Sequence, residues 1–287
     1  AKAKYSIHLH GVSAQLSDNK IIDIQGMRHP LLVEIKGENV VANYFKIGYD
    51  YDCLLITGSN TGGKTVALKT VGLFILMTCF GMHVPCLGAK IYPYSDIYCD
   101  ISTEQNLEQG ISTYCAHITN ISDILNQINE NSFVLLDELG SGTDPTEGAS
   151  IARAILEYIK NKNSQCIITT HLGELKTLKY ENKYFENATV LFDVATMKPK
   201  YNLIIGMSGT SNAIDISSAL GLDSQIIKRA REIFLDTNSK DSKLFLEIEK
   251  TNQSLIEKEQ KAKDNLENAK KTNEEYTEKR SEERRVG

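Results

Sequence analysis

The most informative pattern in the chain is a set of short apolar runs without polar alternation, separated by segments with helical periodicity. The runs are CLLIT, SFVLLD and QCIITT, at residues 53–57, 132–137 and 165–170. The helical segments run from Lys64 to about Phe80, from Ser112 to about Ile128 and from Pro145 to Lys160. Strands that lack polar alternation are buried on both faces, as in parallel sheets covered by helices. The pattern therefore predicts an α/β fold with a mostly parallel sheet flanked by helices.

Shorter β-like runs lie on either side of this alternation. KIIDIQ, PLLVEIK and GENVVANYFKIG precede the first core strand, and we expect them to form a small sheet. AKIYPYSDIYCDI returns to strand, and a further helix is predicted from His171 to Leu178. The segment FENATVLFDVATMKPKYNLIIG predicts two strands with a turn near Lys198 and Pro199, which would add an antiparallel edge to the sheet.

The two ends of the chain differ in character from its centre. Residues before about Gly11 read as the tail of a helix, and two amphipathic helices, Ser211 to Leu220 and Asp223 to Phe234, are joined at Gly221. Residues 239–279 are highly charged and predict either the start of a coiled coil or a single solvated helix. The closing RSEERRVG reads like a translated sequencing adapter, so we expect residues 280–287 to be an artefact.

Composition mainly excludes classes of protein. A net charge of −5 gives the chain no general attraction to polyanions. The six cysteines lie among apolar neighbours without metal-ligand spacing, and we expect buried thiols in a reducing cytosol. The longest apolar stretch, Val66 to Cys79, is interrupted by polar residues and is shorter than the roughly 20 residues of a membrane span. We therefore predict a cytoplasmic protein that does not enter a membrane.

A glycine-rich turn follows the first core strand and fits the phosphate-loop pattern G-x-x-x-x-G-K-[ST]. Its residues are Gly58, Ser59, Asn60, Thr61, Gly62, Gly63, Lys64 and Thr65. Glycines let backbone N–H groups turn towards a phosphate, and the following helix N-terminus adds partial positive charge. Lys64 could reach the β- and γ-phosphates and Thr65 could ligate Mg²⁺. The sequence therefore predicts a nucleotide site for ATP and Mg²⁺.

Two adjacent acids end the second core strand. Asp137 is expected to hold the Mg²⁺ shell, as nucleotide hydrolases require. Glu138 can accept a proton from the attacking water or orient it. Because a small-molecule kinase has no need for a water-activating acid, the pair favours hydrolysis over phosphoryl transfer.

Further polar residues stand at the ends of predicted elements. His171 follows the third core strand, where open α/β sheets bind ligands, although a helix-capping histidine would look the same. Ser112 and Thr113 begin a helix and could bind an anion or merely cap that helix. In the loop GSGTDPTEG, Asp144 is predicted to cap the next helix and Pro145 to occupy its first turn.

Together these motifs resemble the ATPase domain of the MutS superfamily. The resemblance rests on RHPLL, ITGSNTGGKT, DISTEQNLEQGISTYCAHITNI, LLDELGSGTDPTEG and ITTHLGELK, and it covers about Ile21 to Phe234. Thr61 and Thr65 stand where the mismatch-repair enzyme typically has Met and Ser. The GTDPTEG loop and the STYCAH helix start are similar to those of the second bacterial paralogue, the recombination-suppressing branch.

The resemblance implies an ABC-like P-loop ATPase that forms a homodimer with composite ATP sites. It implies that Glu138 activates water, His171 senses the γ-phosphate, and Ser112 and Thr113 contact the partner's nucleotide. His29 would lie on the adenine side. The implied organisation is a lever end at 1–20, an ATPase domain at 21–210, a helical dimerisation element at 211–238 and a linker at 239–279.

The resemblance also implies partners and a further domain. Family members of this branch carry an endonuclease-like Smr domain, which these residues do not supply. They act on branched or mismatched DNA, on collided ribosomes, or on both, so DNA or rRNA is the expected partner.

Two other functions remain open at this point. An ABC transporter ATPase should carry an LSGGQ-like signature, which the sequence lacks. A nucleotide-binding scaffold would hold ATP without hydrolysing it. A GTPase is disfavoured because NKYF, at Asn182, lacks the aspartate of a base-reading NKxD motif.

Overall fold

The computed structural model describes residues 2–58, 62–101, 113–193, 196, 198–209 and 213–237, together with residues 251, 254 and 258. The chain divides into two compact units, Ala1–Ile227 and Lys228–Gly287. The strands are β1 (Gln15–Leu16), β2 (Ile22–Met27), β3 (Asn43–Ile47), β4 (Cys53–Thr57), β5 (Gly88–Ile91), β6 (Asp96–Asp100), β7 (Ser132–Leu136), β8 (Gln165–Thr170), β9 (Phe185–Asp193) and β10 (Lys198–Ile205). The α-helices are α1 (Lys2–His8), α2 (Pro30–Lys36), α3 (Lys64–Cys79), α4 (Thr113–Gln127), α5 (Pro145–Asn161), α6 (Leu178–Glu181), α7 (Ala213–Ala219) and α8 (Ser224–Thr237).

A six-stranded sheet forms the centre of the first unit, in the order β10-β9-β4-β8-β7-β6. All neighbouring strands are parallel except β10, which pairs antiparallel with β9 at the edge. The three apolar runs are β4, β7 and β8, and every residue of these strands is buried. The predicted parallel sheet with an antiparallel edge is therefore confirmed.

Successive side chains of the central strands enter two separate cores. In β4, Leu54 and Ile56 pack in the core that contains α3. Cys53 and Leu55 point to the opposite face, into the core that contains α4 and α5. Because the side chains of a strand alternate between faces, an uninterrupted apolar run covers both faces at once. Because β4 and β7 both pair parallel with β8, the carboxyl ends of the three strands lie at one edge of the sheet.

A second, four-stranded sheet has the order β1-β5-β2-β3 and contains the predicted strand KIIDIQ. The prediction that PLLVEIK is also a strand is wrong, because this segment forms helix α2. Pro30 occupies the first turn, where its fixed φ suits a helix and its missing N–H leaves no bond unmade. His29 precedes it in extended conformation.

Three smaller expectations also need correction. The turn of the last hairpin precedes Lys198, because Lys198 and Pro199 already pair with Asp193 and Phe192 in the sheet. The helix predicted from His171 begins later, as a 3-10 helix at Gly173–Thr177 that continues into α6. AKIYPYSDIYCDI contains two strands, β5 and β6, which belong to different sheets.

The expectation of six buried thiols holds for only half of the cysteines. All six are free, and Cys53, Cys86 and Cys166 are buried. The others are exposed because they lie at the end of α3, on the edge strand β6 and on α4. These are Cys79, Cys99 and Cys115.

The helical pair after the sheet agrees with the sequence. α7 and α8 are separated by Gly221, whose φ of 90° lies in the left-handed region that favours glycine. The charged segment 239–279 falls outside the described residues, apart from positions 251, 254 and 258. Within the described part of the chain, no helix combines the length and the apolar character needed to cross a membrane.

Candidate active site

The candidate phosphate loop connects β4 to α3. Gly58, the residue after β4, and Gly63, the residue before α3, have φ values of 128° and 95°. L-residues with a Cβ rarely adopt these values, so the turn needs glycine at both positions. Ser59, Asn60 and Thr61 lie outside the described residues, and Gly62 is buried.

Lys64 folds back over the loop that it follows. The residue is buried, and its Nζ donates a hydrogen bond of 2.8 Å to the carbonyl oxygen of Gly58. Burial lowers the pKa of Lys64, and the nearby carboxylates of Glu138 and Asp137 oppose that shift. The ammonium group thus bonds to the loop at Gly58, with the predicted water-activating acid Glu138 and the predicted metal ligand Asp137 close enough to affect its pKa.

The two predicted Mg²⁺ ligands lie against each other. The Thr65 hydroxyl donates to the Asp137 carboxylate, with Oγ1 at 2.9 Å from Oδ2 and 3.1 Å from Oδ1. Asp137 is buried directly after β7. The structure thus brings together, from elements 72 residues apart, the hydroxyl and the carboxylate that the sequence singled out.

Glu138 is held in an unusual backbone conformation beside Asp137. Its φ of 51° is left-handed, which is uncommon for a residue with a side chain and is concentrated at functional sites. Its amide donates 2.8 Å to the Thr169 hydroxyl, and that hydroxyl donates 2.5 Å to Asp137 Oδ1. Thr169 is fully buried at the end of β8. One threonine therefore fixes both acids, a role that the sequence analysis missed.

The loop after the acids is built as the sequence predicted. Asp144 caps α5 by accepting from the amides of Thr146 and Glu147, at 2.9 and 3.2 Å, and Pro145 follows it in the first turn. Gly148 packs so closely on this loop that a Cβ there would lie 2.3 Å from the carbonyl oxygen of Gly140. The cap on α5 and the close packing of Gly148 against Gly140 thus fix the conformation of the loop that follows Glu138.

A second buried carboxylate supports the same edge of the sheet. Asp100, the last residue of β6, accepts 2.6 Å from His117 Nδ1 and 2.8 Å from Asn120 Nδ2, both on α4. Its carbonyl oxygen accepts 2.8 Å from the Asp137 amide. Asp100 therefore links α4 to the residue predicted to hold the metal. No sequence motif singled out these three residues.

The remaining predicted site residues are less constrained. His171 is exposed directly after β8, and its side chain makes no hydrogen bond to any other residue that the structure describes. Thr113 begins α4, but its side chain and all of Ser112 lie outside the described part. The contacts of these residues with nucleotide stay predictions.

A cavity of about 230 Å³ lies beside the candidate phosphate loop. Its lining includes Gly63 and the α3 residues Val66, Ala67 and Thr70, Met27 at the end of β2, and Tyr201 of β10. His29 also lines the cavity, and its Nδ1 is buried without a hydrogen-bond partner among the described residues. Burial and the positive charge of Lys69 lower the pKa of His29, which favours its neutral form.

Tyr201 forms part of this cavity in a way that no sequence pattern indicated. A Cβ on Gly63 would lie only 3.0 Å from Tyr201 Cδ1, so the aromatic ring lies directly against the loop. The segment was predicted only as an edge strand, with no role for Tyr201. Its position depends on the pairing of β10, which the local sequence does not specify.

Comparison with known proteins identifies the family. The model of MutS domain V matches residues 54–238. The chain is similar to Endonuclease MutS2 of Clostridioides difficile (strain 630), with 43% identity over 280 residues, 97% of this chain and 35% of the relative. Endonuclease MutS2 of Alkaliphilus oremlandii is 45% identical over 259 residues, 90% of this chain and 32% of the relative. Endonuclease MutS2 of Clostridium kluyveri (strain NBRC 12016) is 48% identical over 233 residues, 81% of this chain and 29% of the relative.

The chain spans about a third of the length of the curated relatives that it matches. The relatives and the family model agree with the resemblance inferred from the motifs. The chain therefore belongs to the MutS superfamily, in the branch of its second bacterial paralogue.

Proposed function

We propose that this chain hydrolyses ATP with Mg²⁺ at the carboxyl edge of the six-stranded sheet. The observation that carries the proposal is the contact between Thr65 and the buried Asp137, 2.9 Å apart, beside the buried Lys64. A hydroxyl, a carboxylate and a lysine at the start of a helix are the groups that nucleotide hydrolases use to hold phosphate and metal.

The residues present suit Mg²⁺. Thr65 and Asp137 offer oxygen ligands, which this hard cation prefers. No cluster of three or more His, Cys, Asp or Glu that could hold a metal occurs among the described residues. Mg²⁺ is usually bound by one or two carboxylates together with substrate phosphates and water, and Asp137 would supply such a carboxylate. When bound, the ion would neutralise charge on the phosphate oxygens.

Each protein group then has a separate task. Lys64 supplies a positive charge, and its Nζ exchanges the bond to the Gly58 carbonyl oxygen for contact with the phosphates. Glu138 orients the attacking water and accepts its proton, and its left-handed backbone is fixed by the hydrogen bond to Thr169. Asp137 and Thr65 hold the metal, while Asp100 supports the Asp137 amide. His171 serves as the γ-phosphate sensor.

The base of the nucleotide occupies the cavity between Tyr201 and α2. Its walls combine apolar side chains with the buried Nδ1 of His29, which has no hydrogen-bond partner in the described part of the chain, and this suits a planar base with polar edges. A base in this cavity and phosphates at Gly58–Thr65 would share Gly63 as a common wall.

At the level of the whole protein, we propose a homodimeric switch. Ser112 and Thr113 of one subunit contact the nucleotide of its partner, so that ATP closes the dimer and hydrolysis opens it. The attached arms act on branched or mismatched DNA, on collided ribosomes, or on both. These steps are supported by the resemblance of the motifs. The endonuclease activity that the relatives are named for is not assigned to these residues.

Hydrolysis of ATP by the purified chain, with and without Mg²⁺, tests the proposal. Wild type should release phosphate only with Mg²⁺. Lys64→Ala should bind ATP at least about tenfold more weakly, since a charged hydrogen bond is worth about 1.5–3 kcal/mol. Lys183→Ala, which removes an exposed lysine, is the matched control. ATP binding without any phosphate release would indicate a scaffold, and unchanged activity in Lys64→Ala would contradict the site.

A further inference from the structure

A bulge interrupts the pairing of the edge strand β10 at Tyr201. Pro199 pairs with Phe192 and Leu203 pairs with Val190, so three residues of β10 face a single residue of β9. Within this bulge Tyr201 has a φ of 57°, in the left-handed region. A bulky side chain rarely adopts this conformation unless the surrounding structure enforces it.

The side chain of Asn43 bonds to the middle of this bulge and to the residue that follows it. Its Nδ2 donates 3.0 Å to the Tyr201 carbonyl oxygen, and its Oδ1 accepts 2.7 Å from the Leu203 amide. Asn43 is the first residue of β3 in the four-stranded sheet, whereas β10 belongs to the six-stranded sheet. One amide group therefore ties the two sheets together at the residue with strained backbone.

Packing of the Tyr201 ring does not account for the strained conformation. The residue is 44% exposed, so the ring is not anchored in a core. What the conformation does achieve is contact of the ring with Gly63, on the wall of the base cavity. Strained residues of this kind concentrate at ligand-binding sites, where the strain fixes a side chain in advance of binding.

We propose that Asn43 is a positioning residue for nucleotide binding, which fixes the bulge so that the Tyr201 ring is presented to the base. The inference rests on the proposed function, because it requires a nucleotide base in the cavity. Asn43 acts through Tyr201 and does not contribute to holding the phosphates. Its loss should therefore weaken recognition of the base and leave recognition of the phosphates intact.

Binding of ATP and of inorganic tripolyphosphate, which has no base, separates these effects. Both are titrated by calorimetry into the purified chain and into Asn43→Ala, Tyr201→Ala and the double variant. Loss of one base–aromatic stack should weaken ATP binding about tenfold or more. Asn43→Ala and Tyr201→Ala should each show this loss, the double variant should be no weaker than Tyr201→Ala, and tripolyphosphate binding should not change.

Asn202→Ala is the matched control, because Asn202 adjoins Tyr201 in β10 and its side chain makes no hydrogen bond with a described residue. The inference is overturned if Asn43→Ala binds ATP like Asn202→Ala, if the two single losses multiply in the double variant, or if tripolyphosphate binding falls in parallel. If wild type binds tripolyphosphate and not ATP, the base cavity itself is misassigned and the inference falls with it.

If Asn43→Ala does not fold, Asn43→Asp provides a second test of the same inference. The aspartate still accepts from the Leu203 amide but cannot donate to the Tyr201 carbonyl oxygen. Selective loss of ATP binding in this variant supports the inference, and wild-type ATP binding contradicts it.

Discussion

Replacing Thr169 with valine removes a single hydroxyl from a fully buried position and should uncouple the two acids of the site. The side chain has 0% exposure. Its hydroxyl donates to Asp137 Oδ1 and accepts from the Glu138 amide, at 2.5 and 2.8 Å. Valine has nearly the same volume, so packing changes little while both hydrogen bonds are lost.

The magnitude follows from those two bonds. A hydrogen bond to a charged group contributes about 1.5–3 kcal/mol, and a buried amide left without a partner costs about 1–3 kcal/mol. The unfolding free energy should therefore fall by about 3 kcal/mol. Because Glu138 loses the bond that fixes its left-handed backbone, kcat should fall by about 10²-fold, the lower end of the contribution of a positioned general base.

Thr170→Val is the control for this prediction. Thr170 is equally buried, and its hydroxyl also makes two hydrogen bonds, to the Leu139 carbonyl oxygen and from the Leu172 amide, each 3.1 Å. This variant should lose about 2 kcal/mol of stability and keep kcat within about threefold of wild type. Urea unfolding and ATPase rates at saturating ATP and Mg²⁺ measure both quantities. Equal losses of kcat in the two variants would contradict a specific role of Thr169 in fixing Glu138.

Two further perturbations test other parts of the site. Gly209→Ala would place a Cβ 2.5 Å from the Thr57 carbonyl oxygen and 2.6 Å from Gly58 Cα. The candidate phosphate loop must then shift, so ATP binding should weaken about tenfold or more. The control is Gly173→Ala, whose added Cβ would meet nothing within 4 Å and which should bind ATP like wild type. Because the pKa of His29 is lowered in the folded chain, the unfolded chain binds more protons just below about pH 6.5. Wild type should then lose more stability than His29→Gln between pH 7.5 and about 5.5 in urea unfolding, and parallel losses would contradict the assignment.

The elements that the sequence predicted well are those whose burial is uniform. β4, β7 and β8 are enclosed on both faces, so their apolar runs identify them without knowledge of their neighbours. The segment PLLVEIK has a similar composition but lies at the surface, where Leu31 and Ile35 are exposed and Pro30 starts a helix. Apolar content alone does not distinguish the two cases.

The parts of the site that the sequence missed depend on contacts between distant elements. Asn43 and Tyr201 are 158 residues apart, and Asp100 supports Asp137 through a backbone bond between neighbouring strands. Thr169 could be placed at the end of a strand, but its link to both acids depends on the order of β7 and β8 in the sheet. Local patterns contain no information on such pairings.

Single-turnover hydrolysis of bound ATP by Glu138→Gln, with ATP affinity measured on the same preparation, tests directly whether Glu138 activates the attacking water. Glutamine keeps the size of the side chain but cannot accept the proton of water. We predict wild-type affinity for ATP with Mg²⁺ and a hydrolysis rate at least about 10²-fold below wild type. Hydrolysis at the wild-type rate would contradict the assignment of Glu138 and the mechanism proposed for this site.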